Sequence, residues 1–217
     1  MMPLARRAAV GAFAAVVTLG LTALPAGAAS EWDLDFAGGT LPISSFGHPA
    51  TATYGQTFTV PEGPRTLGSF SIEVTLPSTV RFRAVLQAWD PAAAHATGVA
   101  LYTSAPMSVA GTGTETLTFS PDVAITPGVY VIYLTASYDW ADGTGVGTFP
   151  SHQTDPYPGG QFVYLNNNGT GTDPLTHDAW TLDYSGYDLG FTVLFDVATP
   201  PTAPPAPPVT GSPAFTG

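Results

Sequence analysis

The sequence predicts an all-β chain that folds as a two-sheet antiparallel β-sandwich with jelly-roll-like connections. Three observations predict this class. Apolar and polar residues alternate with a period of two through most of the chain, almost no segment has a helical period, and clusters of glycine, proline, asparagine or serine bound each alternating run. Because no helical stretch separates successive strands, a parallel βαβ arrangement is excluded, and two packed antiparallel sheets remain.

The first 28 residues have the pattern of a secretory signal peptide. Arg6 and Arg7 precede an apolar run over residues 8–24, and the small residues 26–28 then match an A-x-A cleavage site. A retained membrane anchor is the alternative, but the apolar run is short for a spanning helix and the cleavage site follows it directly. We therefore expect a secreted chain with no retained membrane segment.

Residues 29–198 are predicted to form one β-sandwich domain of about nine or ten strands. The first run, WDLDF, places Trp32, Leu34 and Phe36 on one face and two aspartates on the other. The later runs alternate in the same way, and each ends at a turn signal. In chain order they are TYGQTFTV, SFSIEVTL, VRFRAVLQAW, VALYTS, ETLTFS, GVYVIYLTASY, QFVYLN and DLGFTVLFDV.

The charge balance after the signal peptide excludes a nucleic-acid partner. All sixteen acidic residues of the chain lie there, against only three basic residues other than histidine, namely Arg65, Arg81 and Arg83. Phosphate backbones repel such a chain. Cysteine is absent as well, so an exported protein of this kind depends on its hydrophobic core rather than on disulfides.

Residues 199–217 are rich in proline and small residues, which predicts an extended, disordered spacer. The last five residues, PAFTG, resemble the LPxTG and LAxTG sorting signals of Gram-positive surface proteins, in which a sortase joins the threonine to the cell wall. In those proteins an apolar helix and basic residues follow the motif, whereas this sequence stops at Gly217. Either the sequence ends at a sorting motif or the match is a coincidence.

Several ordered motifs resemble an uncharacterised class of exported bacterial β-sandwich proteins. They are YGQTFTVPEG with LGSFSIEV, FRAVLQAWDPAAAHATGVALYTS, PGVYVIYL, YPGGQFVYLNNNG and the closing DLGFTVLF, which together cover most of residues 51–196. Many members of that class end in a surface-sorting signal such as the PEP-CTERM type. The resemblance implies an extracellular or surface location and no established catalytic residues. The sortase-like tail is a departure from that pattern.

Two long loops, residues 137–160 and 166–188, carry the candidate binding residues. Tryptophan and tyrosine stack on sugar rings, and asparagine amides hydrogen-bond to hydroxyls, so the composition of the loops favours a glycan or cell-wall polymer as ligand. The alternative is that the rings pack the loops onto the sandwich and that the asparagines only turn the chain. The candidate ligand-binding residues are Tyr138, Trp140, Asn166, Asn167, Asn168 and Trp180.

The same loops offer carboxylates for a structural calcium ion. Asp139 and Asp142 lie in the stretch DWADGTG. Asp173 lies within NGTGTDPL, residues 168–175, which resembles one copy of a calcium-binding nonapeptide repeat with asparagine in the first place. One copy cannot stack into the β-roll in which such repeats bind the ion. A flexible polar loop is the alternative interpretation.

No catalytic residues are predicted. There is no cysteine and no G-x-S-x-G motif, and the four histidines are scattered without a zinc-binding spacing. We therefore expect a non-catalytic module, secreted or displayed on the cell wall, with a glycan as the favoured ligand. One alternative is a glycoside-active enzyme that uses two carboxylates. These would come from Glu73, Asp139, Asp142 and Asp178. A purely structural surface protein is the other alternative.

Overall fold

The computed structural model describes residues 32–63 and 65–196. The predicted signal peptide (1–28) and the predicted spacer with its sorting-like motif (199–217) lie outside the described residues. No helix within the described ranges is both long and apolar enough to cross a bilayer.

Strands are the main regular structure of the described chain, together with one 3-10 turn at Trp140–Asp142 and one short helix, α1, at Pro174–His177. The strands are β1 Leu34–Phe36, β2 Leu41–Phe46, β3 Thr53–Val60, β4 Arg65–Thr75, β5 Val80–Asp90, β6 His95–Thr103, β7 Met107–Val109, β8 Thr114–Phe119, β9 Val123–Ile125, β10 Gly128–Thr135, β11 Gly147–His152, β12 Phe162–Leu165, β13 Asp188–Leu189 and β14 Phe191–Asp196.

The strands form two antiparallel sheets that pack face to face, which confirms the predicted β-sandwich. The eight-stranded sheet has the order β1-β14-β4-β11-β13, with β8 and β9 also paired to β4 and β2 paired to β11. The six-stranded sheet has the order β12-β3-β10-β5-β6, with β7 paired to β5. The chain passes repeatedly from one sheet to the other, as jelly-roll-like connections require.

The main core fills the space between the two sheets. Strand β10 shows how the sequence produces it, because Tyr130, Ile132 and Leu134 alternate along the strand and all lie in this core. Phe58 of the neighbouring strand stacks on Tyr130, with the ring centroids 5.9 Å apart. Burying such rings is the main source of folding free energy in a chain without disulfides.

A second, smaller core lies on the outer face of the six-stranded sheet. Residues 166–182 leave β12 and cross this face, and Trp180 is buried there at 2% exposure. Its ring packs edge-on against Trp89 and Tyr133, at centroid distances of 5.3 and 5.2 Å. Its indole N–H donates to the carbonyl of Leu175, 3.0 Å away. The segment therefore covers part of the outer face and leaves the remainder open.

Candidate functional site

The candidate site is a cleft beside the second core, on the outer face of the six-stranded sheet, with a volume of about 300 Å³. Its two walls are the middle of β6 and the crossing segment at residues 172–176. Polar and aromatic side chains line most of it, as is common in sites for small polar ligands. The lining residues are Gln87, Gly98, Ala100, Tyr133, Tyr138, Thr172, Asp173, Leu175 and Thr176.

The floor of the cleft is a fixed polar pair from two central strands. The Tyr133 hydroxyl donates to Oε1 of Gln87 over 2.8 Å, and Nε2 of Gln87 donates to the carbonyl of Gly98 over 2.7 Å. Burial raises the pKa of Tyr133, so its hydroxyl stays protonated and keeps donating. The amide and the phenol are thereby held in one orientation, which leaves their remaining hydrogen-bonding capacity aimed in fixed directions.

The first wall is a bulge in β6. Leu86 and Ala88 of β5 pair with Tyr102 and Thr97, so residues 98–101 stand opposite Gln87 alone. Gly98 begins the bulge with φ of +69°, a conformation that favours glycine. Val99, at the tip, is 88% exposed, and Leu101 is exposed as well. The wall therefore presents an apolar rim to solvent.

Tyr138 lies at the end of the cleft, three residues after the end of β10, and Arg83 packs on its ring. The Arg83 guanidinium lies 5.2 Å from the centroid of the Tyr138 ring, and its Nε donates to Asp139 over 2.9 Å. Arg81 adds a longer contact to the same carboxylate at 3.5 Å. Hydrogen bonding from Arg83 lowers the pKa of Asp139, so the ion pair persists at neutral pH. The Tyr138 ring itself stays 39% exposed.

The asparagine run turns the chain into the second wall. Oδ1 of Asn167 accepts from the Ser137 hydroxyl and from the N–H of Gly169, each over 3.2 Å, and Nδ2 donates to the carbonyl of Gly171 over 2.9 Å. Asn168 has φ of +48°, which asparagine tolerates better than most residues do. Asn167 is thus a loop-organising residue.

The structure brings only Tyr138 and Asp173 of the predicted residues into the cleft. Trp140 is half-buried instead, with its ring 4.6 Å from that of His48, and a side chain at Gly169 would collide with it. Trp180 has no open ring face, because it belongs to the second core. Both tryptophans pack loops onto the sandwich and are not placed to stack on a sugar. Among the asparagines, Asn166 and Asn168 are exposed on the turn and Asn167 is buried.

The carboxylates predicted to bind calcium do not assemble. Asp139 is occupied by two arginines, and Oδ1 of Asp173 lies 3.3 Å from Nδ1 of His177, while Asp142 is exposed. Within residues 32–63 and 65–196, no three His, Asp or Glu side chains come close enough together to hold a metal ion.

Of the carboxylates considered for glycoside chemistry, Glu73 and Asp139 are associated with different sheets and are engaged in separate contacts. Both carboxylate oxygens of Glu73 accept from the N–H of Gly38 at 3.0 Å, and Oε2 accepts from Gly39 as well. Glu73 lies on β4 of the eight-stranded sheet, whereas Asp139 follows β10 of the six-stranded sheet. Asp178, like Asp142, is an exposed loop residue. Each of the first two carboxylates therefore has a structural partner.

Most residues that line the cleft were not predicted from the sequence. Gln87 and Tyr133 read as ordinary members of alternating strands, and Gly98 and Ala100 as part of a strand. The bulge that brings these residues together depends on the pairing of β5 with β6, which a single strand pattern does not contain. The glycine inside the run TGVALYT was the one available signal, because an isolated glycine in a strand marks a bulge.

Comparison with protein-family models, with curated proteins and with solved structures finds no match to this chain.

Proposed function

We propose that this protein is a non-catalytic extracellular binding module, secreted or displayed on the cell wall, whose ligand is a glycan or cell-wall polymer held in the outer-face cleft. The location rests on the signal-peptide pattern and the sortase-like tail of the sequence. The ligand class rests on the cleft.

The observation that carries the proposal is a cleft with a polar floor and an exposed aromatic ring, beside a bulge that exposes apolar side chains. Tyr138, an exposed large hydrophobic residue, lines the cleft, and two more, Val99 and Leu101, lie on the bulge whose Gly98 and Ala100 line it. Exposed apolar surface bordered by polar groups is typical of a binding site. A sugar ring has an apolar face and a hydroxyl periphery, which match the Tyr138 ring and the hydroxyls and amide of the cleft.

A pull-down tests this function. The mature chain, residues 29–217, is incubated with insoluble polysaccharides and with purified bacterial cell wall, in calcium and in chelator. We expect retention on at least one matrix and about a tenfold loss of affinity in Tyr138→Ala, because the ligand loses an aromatic ring on which it packs.

Tyr184→Ala is the matched control, because Tyr184 has the same exposure of 39% but lines no part of the cleft. Equal losses in the two variants, or retention on no matrix, would contradict the proposal. Retention that disappears only in chelator would support a calcium ion bound together with the ligand.

A further inference from the structure

The distribution of arginines is the feature of the cleft that the proposed function leaves unexplained. Arg65, Arg81 and Arg83 are the three arginines of the described chain, and two of them lie two residues apart on β5 and reach the same carboxylate. The third is far from this site in the fold: Arg65 lies on β4 of the other sheet, with its guanidinium over the Trp32 ring at 4.5 Å. Two of the three arginines of the described chain therefore lie together near the Tyr138 end of the cleft.

Arg81 and Arg83 together have more N–H donors than the single carboxylate of Asp139 can accept from. Arg83 uses Nε and Nη2 on the carboxylate, at 2.9 and 3.4 Å, whereas Arg81 makes a single contact of 3.5 Å. Each guanidinium has five N–H donors, and one carboxylate cannot accept from all of them. The Arg81 side chain remains 33% exposed and that of Arg83 27% exposed. Both guanidinium groups thus remain partly open to solvent after pairing with Asp139.

The arginine pair lies next to the cleft, with Tyr138 between Arg83 and the cleft. The ring of Tyr138 lines the cleft, and the Arg83 guanidinium packs on that ring. The crossing segment on the other wall carries the opposite charge, since Asp173 is an exposed lining residue. A ligand that spans the cleft therefore meets a cationic end and an anionic wall, and this polarity orients a charged polymer.

Resting on the proposed function, we propose that the ligand is an anionic glycan or cell-wall polymer whose carboxylate or phosphate group pairs with Arg81 and Arg83 at the Tyr138 end of the cleft. Guanidinium groups bind both kinds of anion through paired N–H donors, so the two share one recognition chemistry. Neutral glycans would use the ring and the hydroxyls but would gain nothing from the arginines.

The test compares polygalacturonate with its fully methyl-esterified form, which has the same backbone without the charge, and with poly(glycerol phosphate). Binding of the mature chain is measured for wild type, Arg81→Gln, Arg81→Lys and the control Arg65→Gln. Arg81→Gln is chosen because it leaves the shorter Arg83–Asp139 contacts intact. A thermal melt checks that each variant is folded.

We expect wild type to bind at least one anionic polymer about tenfold more tightly than the methyl ester, and Arg81→Gln to lose about that factor. Arg65→Gln should bind as wild type, Arg81→Lys should fall between, and added salt should weaken binding of the anionic polymer. The two anionic polymers distinguish carboxylate from phosphate.

Equal binding of charged and methylated polymer, or unchanged binding in Arg81→Gln, would overturn the inference. If a neutral polymer is then still retained through Tyr138, only the anionic preference fails and the proposed function stands. If neither the polysaccharides nor poly(glycerol phosphate) are retained, the anionic preference and the proposed function both fail.

Discussion

The two faces of the six-stranded sheet differ in how completely they are covered. On β10, Ile132 points into the core between the sheets, while the next residue, Tyr133, points into the second core and the cleft. A whole sheet covers the inner face, whereas one loop segment with a four-residue helix covers part of the outer face. The uncovered part of the outer face therefore leaves room for a ligand beside the second core.

Two buried carboxylates, one at the edge of the main core and one beside the cleft, have pKa values shifted in opposite directions. Asp188, at the edge of the main core, accepts only from neutral donors, Nε2 of Gln56 at 2.7 Å and the N–H of Tyr157 at 3.0 Å. Desolvation raises the pKa of Asp188. Hydrogen bonding from Arg83 instead lowers the pKa of Asp139 on the outer side. Charge is therefore stabilised beside the cleft and destabilised in the core.

The largest expected effect is on the inner face. Phe82 is fully buried in the main core, and its ring meets that of Phe46 at a centroid distance of 5.9 Å. Phe82→Ala should lower the free energy of unfolding by about 4 kcal/mol, because it leaves a cavity in a packed core. Urea denaturation measures this, with Phe82→Leu as the milder control. A loss below that of Trp180→Ala would contradict the ranking of the two faces.

Trp180→Ala tests whether the second core holds the crossing segment. We expect a loss of about 3 kcal/mol, since the outer face is already partly open and relaxes more easily. Hydrogen exchange should rise in residues 166–182 while the strands stay protected, and ligand binding should weaken because the cleft loses a wall. Trp180→Phe keeps a ring and loses only the bond to Leu175, so its effect should be smaller. Unchanged exchange in the segment would argue against this role.

Asp139→Asn tests whether the ion pair with Arg83 stabilises the fold, in contrast to the neutral contacts of Asp188. Because the folded pKa of Asp139 is lowered, its stabilising contribution is present above the unfolded pKa of about 3.9 and is lost as the pH falls through the folded value. The variant should be less stable than wild type by about 1 kcal/mol at pH 7, a modest value because both arginines are partly exposed. The difference should shrink below about pH 4.

Urea denaturation at a series of pH values measures this difference, with Asp142→Asn as the control in the same loop. Asp188 should act with the opposite sign, because a raised folded pKa favours the folded state as the pH falls through it. A difference between Asp139→Asn and wild type that stays constant down to acid pH would show that the ion pair is not its cause.

The strands of the two sheets can be predicted from the sequence more completely than the residues that line the cleft. Period-two patterns identify the long strands, because one-sided burial imposes alternation on each strand by itself. The loop predicted at residues 137–160 contains β11, whose sequence GTFPSH has a proline and little alternation. Strand β12, from the run QFVYLN, does not alternate either, because both of its faces are buried: Phe162 lies in the main core and Val163 in the second core.

The predicted residues that do not line the cleft have a common physical explanation. Trp180 and Asn167 lie in a polar, aromatic loop whose composition suits either ligand binding or packing. Which of the two occurs depends on whether the loop folds back over the sheet, and this is a tertiary contact between residues 166–182 and strands β5, β6 and β10. Tyr138 was identifiable because it lies three residues after a strand end, where side chains often stay exposed.

The measurement that tests the account most directly is a ¹⁵N–¹H NMR titration of the mature chain with oligosaccharides cut from the polymer that it retains. The account predicts that the largest shift changes fall on the cleft walls and floor, at Gly98, Ala100, Tyr133, Tyr138 and Thr172. Residues of the eight-stranded sheet should stay unchanged. Shift changes centred on that sheet, or around Tyr184, with the cleft unperturbed, would contradict the placement of the binding site on the outer face.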